Sequence, residues 1–268
     1  MALFRDKVAF VFTGGGSKGA VQVGMAKALI EFGIKPDIVA GSSIGAMNAS
    51  VLAFHPNMKG IEILIQTWDE VSNDKVYDIS TKKIVMGMLS REYLFENNIV
   101  ERYIEKLPSE LFEETEIKLF INTTKLDGGT SVIHSSGNLK NVLLATTAIP
   151  GIFPPIEIEG ELHIDGGISM MAPFYFKEMD RIDKIYLLDA SGNSLDSEKR
   201  NAIDVIKKSI SFGLQAQVNI SKNDKRVKLL RVESKIFDKR TLDFTNSRDY
   251  IEIGYKMVRE LISKGEIS

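Results

Sequence analysis

Cysteine is absent from this 268-residue chain. That absence excludes disulfide staples, thiolate catalysis and cysteine-ligated zinc or iron–sulfur centres together. Histidine is scarce, with only His55, His134 and His163. Charge of one sign is lacking too. The 34 basic and 36 acidic residues leave a formal net charge of -2, so nucleic acid is not an expected partner. No stretch approaches the roughly 20 apolar residues needed to cross a bilayer. "MALFRDKVAFVF" is too short and too interrupted by charge for a secretory signal, and the expected location is cytoplasmic. Linkers rich in Pro, Gly or Ser, internal repeats and low-complexity tracts are also missing, which leads to the expectation of one domain over 1–268. What remains is 44% hydrophobic and 26% charged, the composition of a chain that buries a sizeable core.

The apolar run "KVAFVF" (7–12) has the length and pattern of a strand buried on both faces. Val21, Met25, Leu29 and Phe32 then recur at helical spacing, with Gly33 as the stop. "PDIVAG" (36–41) reads as a second strand and "AMNASVLAF" (46–54) as a second helix. This strand–turn–helix repetition predicts an α/β fold with a parallel sheet and crossover helices. Further strands are expected at 117–126, 130–136, 183–190 and 226–232, and helices near 97–107, 138–147, 198–222 and 247–264. Residues 57–96 form a long helical insertion rich in Met, Leu and aromatics, including Met86, Met88, Leu89, Tyr93, Leu94 and Phe95. Such a stripe serves either as core beside the sheet, the commoner use, or as a lid or lipid-facing surface.

Two glycine-rich turns carry the chemistry. In "GGGSKGA", Gly14, Gly16 and Gly19 fit the G-x-G-x-x-G pattern of a dinucleotide-binding turn. Such a unit places an acidic residue at the far end of its second strand. Here Asp37 lies at the near end, and the far end holds "GSSIGA". Gly41, Ser43 and Gly45 in that turn make G-x-S-x-G between a strand and a helix, the setting of a nucleophile elbow. Ser43 is flanked correctly, whereas Ser42 is not. The first turn is then better explained as a donor of backbone N–H groups from Gly15 and Gly16 to an oxyanion, with the helix starting near Lys18 pointing its positive end there.

A triad ending in a late histidine is impossible, because nothing after His163 can supply one. His134 and His163 read as satisfied strand histidines, and His55, beside Pro56, as a helix cap or surface residue. The remaining signal is "AIPGIFPPIEIEGELHIDGG" (148–167). It is a proline-constrained loop, a hairpin through Glu159 and Gly160, and then Asp165 before Gly166 and Gly167. Such a rigid approach suits a carboxylate that must be positioned closely.

Taken together, "GGGSKGA", "GSSIGA", "ATTAIPGIFPPI" and "HIDGG" resemble the patatin-like phospholipases in order and rough spacing, over about 7–173. The resemblance implies a three-layer α/β/α sandwich and a serine lipid acyl hydrolase. In it Ser43 is the nucleophile, Asp165 the general base of a Ser-Asp dyad, and Gly15, Gly16 and Lys18 the oxyanion loop. It implies no cofactor and no catalytic metal, a lipid or acyl-ester substrate, and transient contact with a membrane surface. Two alternatives stay open: acyl transfer from a carrier-bound group with His163 replacing Asp165, and a lipid-binding module without chemistry. Met170 and Met171 depart from the asparagine that many members carry after Asp-Gly-Gly.

Overall fold

The strand–turn–helix repeat between Lys7 and Phe54 sets the frame. The computed structural model describes residues 5–73, 98–191, 212–213, 215–219, 223–232 and 244–267. Within it Val8–Phe12 forms β1, Ala20–Glu31 α1, Ile38–Ser42 β2 and Ile44–Phe54 α2. Met58–Asn73 (α3) and Asn98–Ile104 (α4) follow, then Lys118–Lys125 (β3), Ser131–His134 (β4) and Leu139–Thr146 (α5). Ile156–Ile158 (β5), Glu161–Ile164 (β6), Lys184–Asp189 (β7), Val227–Arg231 (β8) and Ser247–Ser263 (α6) complete the described elements.

The described strands join in one sheet of order β5-β6-β3-β2-β1-β7-β8, with β4 also pairing β3. From β3 to β8 every neighbour is parallel, and β4, β5 and β6 form an antiparallel flank. The expected α/β architecture with a mainly parallel sheet is therefore present. Alternation explains the continuous apolar runs. Val8, Phe10 and Phe12 face the helical layer, while Ala9 and Val11 join Met171, Phe174, Met179 and Ile182 on the opposite face. Tyr186 and Leu188 of β7 divide from Ile185 and Leu187 in the same way.

Helix α1 is buried along nearly its whole length, because α6 covers the side turned away from the sheet. The two backbones cross so closely that a Cβ added at Gly24 would lie 1.8 Å from the Ile251 carbonyl oxygen. Phe32, expected on the buried stripe, is 48% exposed. It is the C-cap of α1, where the chain turns off the helix. Among the described residues no helix is long and apolar enough to cross a membrane.

Candidate active site

β1 and β2 are adjacent and parallel, so the turns that follow them open at the same edge of the sheet. Ser43 sits between β2 and α2 with φ 54° and ψ -132°, a conformation that a non-glycine residue holds only under constraint from its surroundings. The constraint is visible on both sides. A Cβ at Gly45 would fall 2.4 Å from the carbonyl oxygens of Phe12 and Thr13, and one at Gly41 would strike Ala46. The Ser43 N–H donates to Thr146 Oγ1 at 2.9 Å, and that hydroxyl donates to the Asn122 carbonyl at 2.6 Å. The elbow is thus tied to α5 and β3 as well as to its own helix.

The hairpin through Glu159 and Gly160 forms as expected, with φ of 52° and 82° at the two turn residues. It returns the chain along β6 to Asp165. Ser43 Oγ donates to Asp165 Oδ2 at 2.7 Å, and the Gly167 N–H donates to Oδ1 at 2.8 Å. The Asp165 backbone is fixed at both groups, its N–H donating to Ala148 and its carbonyl accepting from Thr124 Oγ1. Burial raises the Asp165 carboxyl from 3.8 to about 6, against the opposing pull of the Ser43 and Gly167 hydrogen bonds. Near neutral pH the group is an ionised carboxylate whose proton affinity exceeds that of an exposed aspartate, in contact with a serine hydroxyl.

The glycine loop closes on the same place. A Cβ at Gly14 would sit 3.2 Å from Ser43 Cβ and 2.8 Å from Met171 Sδ, so elbow, loop and the segment after Asp165 meet there. Gly15 passes against the carbonyl of Ala190, where a side chain would lie 2.5 Å from the oxygen. Gly16 has φ 60° and lines a pocket together with Ser43. Lys18 does not line that pocket. It is buried, its ammonium pushed down to about 8 by desolvation while the carboxylate of Asp189 pulls the other way. Met171 is buried with its N–H donating to Gln217, and the Met170 carbonyl accepts from Asn122 Nδ2.

The pocket holds about 670 Å³ of free space, part of it open to solvent. Beside Ser43 its wall is almost wholly apolar, with Met47, Trp68, Val100, Tyr103 and Phe153 among its side chains. Helix α3, the described part of the 57–96 insertion, does two things. Ile61 and Leu64 lie in the core, while Thr67, Trp68 and Val71 reach the pocket. Met86, Met88, Leu89, Tyr93, Leu94 and Phe95 lie outside the described residues.

The histidines stand apart. Thr123 Oγ1 bridges His134 Nε2 at 2.7 Å and His163 Nδ1 at 2.8 Å inside the antiparallel flank. Neither ring lines the Ser43 pocket, and burial pushes His134 down to about 4. His55 is the C-cap of α2. Sequence reasoning did not single out Thr146, Asn122 or Thr124 for the site. For Asn122 and Thr124 the available signal was "INTT", a polar run in the second half of a strand that the structure buries.

Residues 10–176 match the model of the family described as patatin-like phospholipase. Lysophospholipase NTE1 of Debaryomyces hansenii is 27% identical over 201 residues, 72% of this chain and 12% of that protein. Patatin-like phospholipase domain-containing protein 7 of Rattus norvegicus is 28% identical over 164 residues, 60% of this chain and 12% of that protein. The chain thus spans about an eighth of the length of these curated relatives. The human GIVD cytosolic phospholipase A2, solved with methyl gamma-linolenyl fluorophosphonate and terbium chloride, shares the fold. Its TM-score is 0.50 at 10% identity, covering 97% of this chain and 58% of that one.

Proposed function

Because this chain belongs to the patatin-like phospholipase family, we propose that it hydrolyses carboxylic ester bonds of lipids through an acyl-enzyme on Ser43, with Asp165 as general base. The observation that carries this reading is the 2.7 Å hydrogen bond to a buried carboxylate from the Oγ of Ser43, a residue that lines an apolar pocket. As Oγ bonds to the ester carbonyl carbon, its proton passes to Asp165 Oδ2 and the carbonyl electrons move to oxygen. The N–H groups of Gly15 and Gly16, with the positive end of α1 behind them, receive that oxyanion. One such donor contributes about 3–4 kcal/mol of barrier lowering. Collapse breaks the bond to the alcohol, which leaves with the proton from Asp165. A water then gives its proton to Asp165 as its oxygen attacks the acyl carbon. The second collapse releases the carboxylic acid and returns the proton to Ser43 Oγ.

The apolar wall beside Ser43 suits an acyl chain. The names of the relatives favour a lysophospholipid, which diffuses from aggregates as a monomer or is taken at a membrane surface. The test combines turnover of lysophosphatidylcholine and of soluble esters of graded chain length with fluorophosphonate labelling. Labelling mapped to Ser43, with turnover lost in Ser43→Ala, is expected. Unchanged turnover in a folded Ser43→Ala protein would overturn the reading.

A further inference from the structure

The mechanism above leaves a chain of fully buried amides unused. The Trp68 Nε1–H donates to Asn48 Oδ1 at 3.0 Å. Asn48 Nδ2 donates to Gln22 Oε1 at 2.9 Å and to the Gly19 carbonyl at 3.0 Å. Gln22 Nε2 in turn donates to the carbonyls of Thr13 at 2.8 Å and Leu188 at 2.9 Å. Both amide side chains have no exposed surface, and Trp68 is 2% exposed. The direction of the chain is determined from both ends. An indole N–H can only donate and a backbone carbonyl can only accept, so neither amide can be reversed without losing its partners. Every N–H and both side-chain oxygens are satisfied, the condition under which a buried polar network adds rigidity instead of cost.

Its attachment points carry the inference. Thr13 and Gly19 are the residues on either side of the Gly14–Lys18 segment, so the network grips the glycine loop at both ends. Asn48 lies on α2, five residues after Ser43. Gln22 lies on α1, directly behind the loop. The Thr13 carbonyl that Gln22 holds is the same oxygen against which Gly45 of the elbow packs. Thr13 is held a second way, its hydroxyl accepting from the Ala190 N–H at 2.8 Å and donating toward Asp189 at 3.1 Å. The two turns are therefore cross-braced by side chains that hydrogen-bond neither Ser43 nor Asp165.

We propose that Gln22 and Asn48 are positioning residues that hold the Gly15 and Gly16 amides in register with Ser43 Oγ, with Trp68 anchoring the brace in the pocket wall. This rests on the reading of Ser43 as nucleophile and of the loop as oxyanion donor. A brace of this kind acts on the chemical step: misplacement of a reacting group by about 1 Å costs on the order of 10²-fold in rate. Binding of a short ester, which does not fill the pocket, is left alone.

The test measures kcat and KM of Gln22→Met, Asn48→Leu and the double variant on a short soluble ester, normalised to sites titrated by a fluorophosphonate. The expected result is a fall in kcat of about 10- to 100-fold at unchanged KM. The double variant should be no worse than the poorer single one, because both break one unit. Wild-type kcat per titrated site would overturn the proposal, and so would a loss of activity matched by a loss of titratable sites. Should these variants not fold, Trp68→Phe keeps an aromatic wall and deletes one donor. A several-fold fall in its kcat at unchanged KM is expected, and an unchanged kcat overturns the proposal. Failure of the underlying reading looks different: wild-type protein would then not label at Ser43.

Discussion

Replacing Asp165 by Asn should make the protein more stable at neutral pH while abolishing turnover. The carboxyl is raised from 3.8 to about 6, with burial the largest cause. The folded state therefore keeps a proton that the unfolded chain has lost between those two values. In that window the folded state binds more protons, so wild-type stability falls as pH rises. The whole loss is in place above about pH 6 and absent below about 3.8. Its size follows from 1.36 kcal/mol per tenfold change in proton affinity, giving about 3 kcal/mol at pH 7. The amide in Asp165→Asn carries no charge to desolvate. Its oxygen can still accept from Gly167 and its NH₂ can donate to Ser43 Oγ, which keeps one hydrogen bond to each partner. The assay is chemical unfolding at pH 4, 5, 6 and 7. Fluorescence of Trp68, the sole tryptophan and buried beside Phe244, provides the signal. The variant should match wild type near pH 4 and exceed it progressively to a plateau above pH 6. A variant equal to or weaker than wild type at pH 7 would refute the argument that burial of an ionised carboxylate is what tunes the base.

The same value sets the acid limb of the rate. kcat/KM on a soluble ester should fall about tenfold between pH 7 and pH 5 as Asp165 takes up its proton, and a flat profile would contradict its role as base. Ser42→Ala should keep most of its activity and be neutral or slightly stabilising in thermal unfolding. Ser42 Oγ is buried with no hydrogen-bond partner, and an unmade buried hydrogen bond carries a desolvation penalty. Gly16→Val should lose on the order of 10²–10³ in the chemical step, because φ 60° disfavours a β-branched residue and the loop must move. Normal turnover by a folded Gly16→Val protein would return the loop to a purely structural role.

What could be read from the chain was what is local. β1 is an unbroken apolar run because both faces are covered, and the elbow announces itself through glycines two residues either side of Ser43. Glu159-Gly160 marks a hairpin because two successive residues there take positive φ. The approach to Asp165 was legible for the same reason. Contacts between distant segments were not legible. Thr146 looks like any threonine at a helix end, yet it is the acceptor for the strained Ser43 N–H across 103 residues of sequence. Gln22 and Asn48 sit in helices whose visible pattern is apolar. Nothing nearby marks a buried amide as different from an exposed one. Their burial follows from where the helices meet, Gln22 turned toward the Thr13 and Leu188 carbonyls and Asn48 closed over by Trp68 of α3. Phe32 erred in the other direction, since helical spacing continues through a cap whereas burial does not.

In the proposed mechanism a Ser-Asp pair asks a weak base to do what histidine does elsewhere, and burial of Asp165 is the source of the added basicity. An aspartate in water has its pKa near 4 and holds a proton poorly at pH 7. Here the ionised form is buried and, among the described residues, accepts two hydrogen bonds, from Ser43 and Gly167. Further donors would stabilise the charge, lower the proton affinity and weaken the base. Thr124 illustrates the economy: its hydroxyl reaches the Asp165 backbone carbonyl and leaves the carboxylate alone. The cost of that isolation is met by rigidity around it, namely the fixed Asp165 backbone, the packed glycines of the elbow and the amide brace behind the loop. A variant that added a donor to the carboxylate should therefore gain stability and shift the acid limb of the rate downward. Ala148, whose carbonyl accepts the Asp165 N–H, offers a position to try it. Ala148→Ser, if its hydroxyl reaches Oδ2, should lower the apparent pKa in the pH–rate profile and lower kcat with it. A lowered pKa with an undiminished kcat would show that proton affinity at Asp165 is not what limits the reaction.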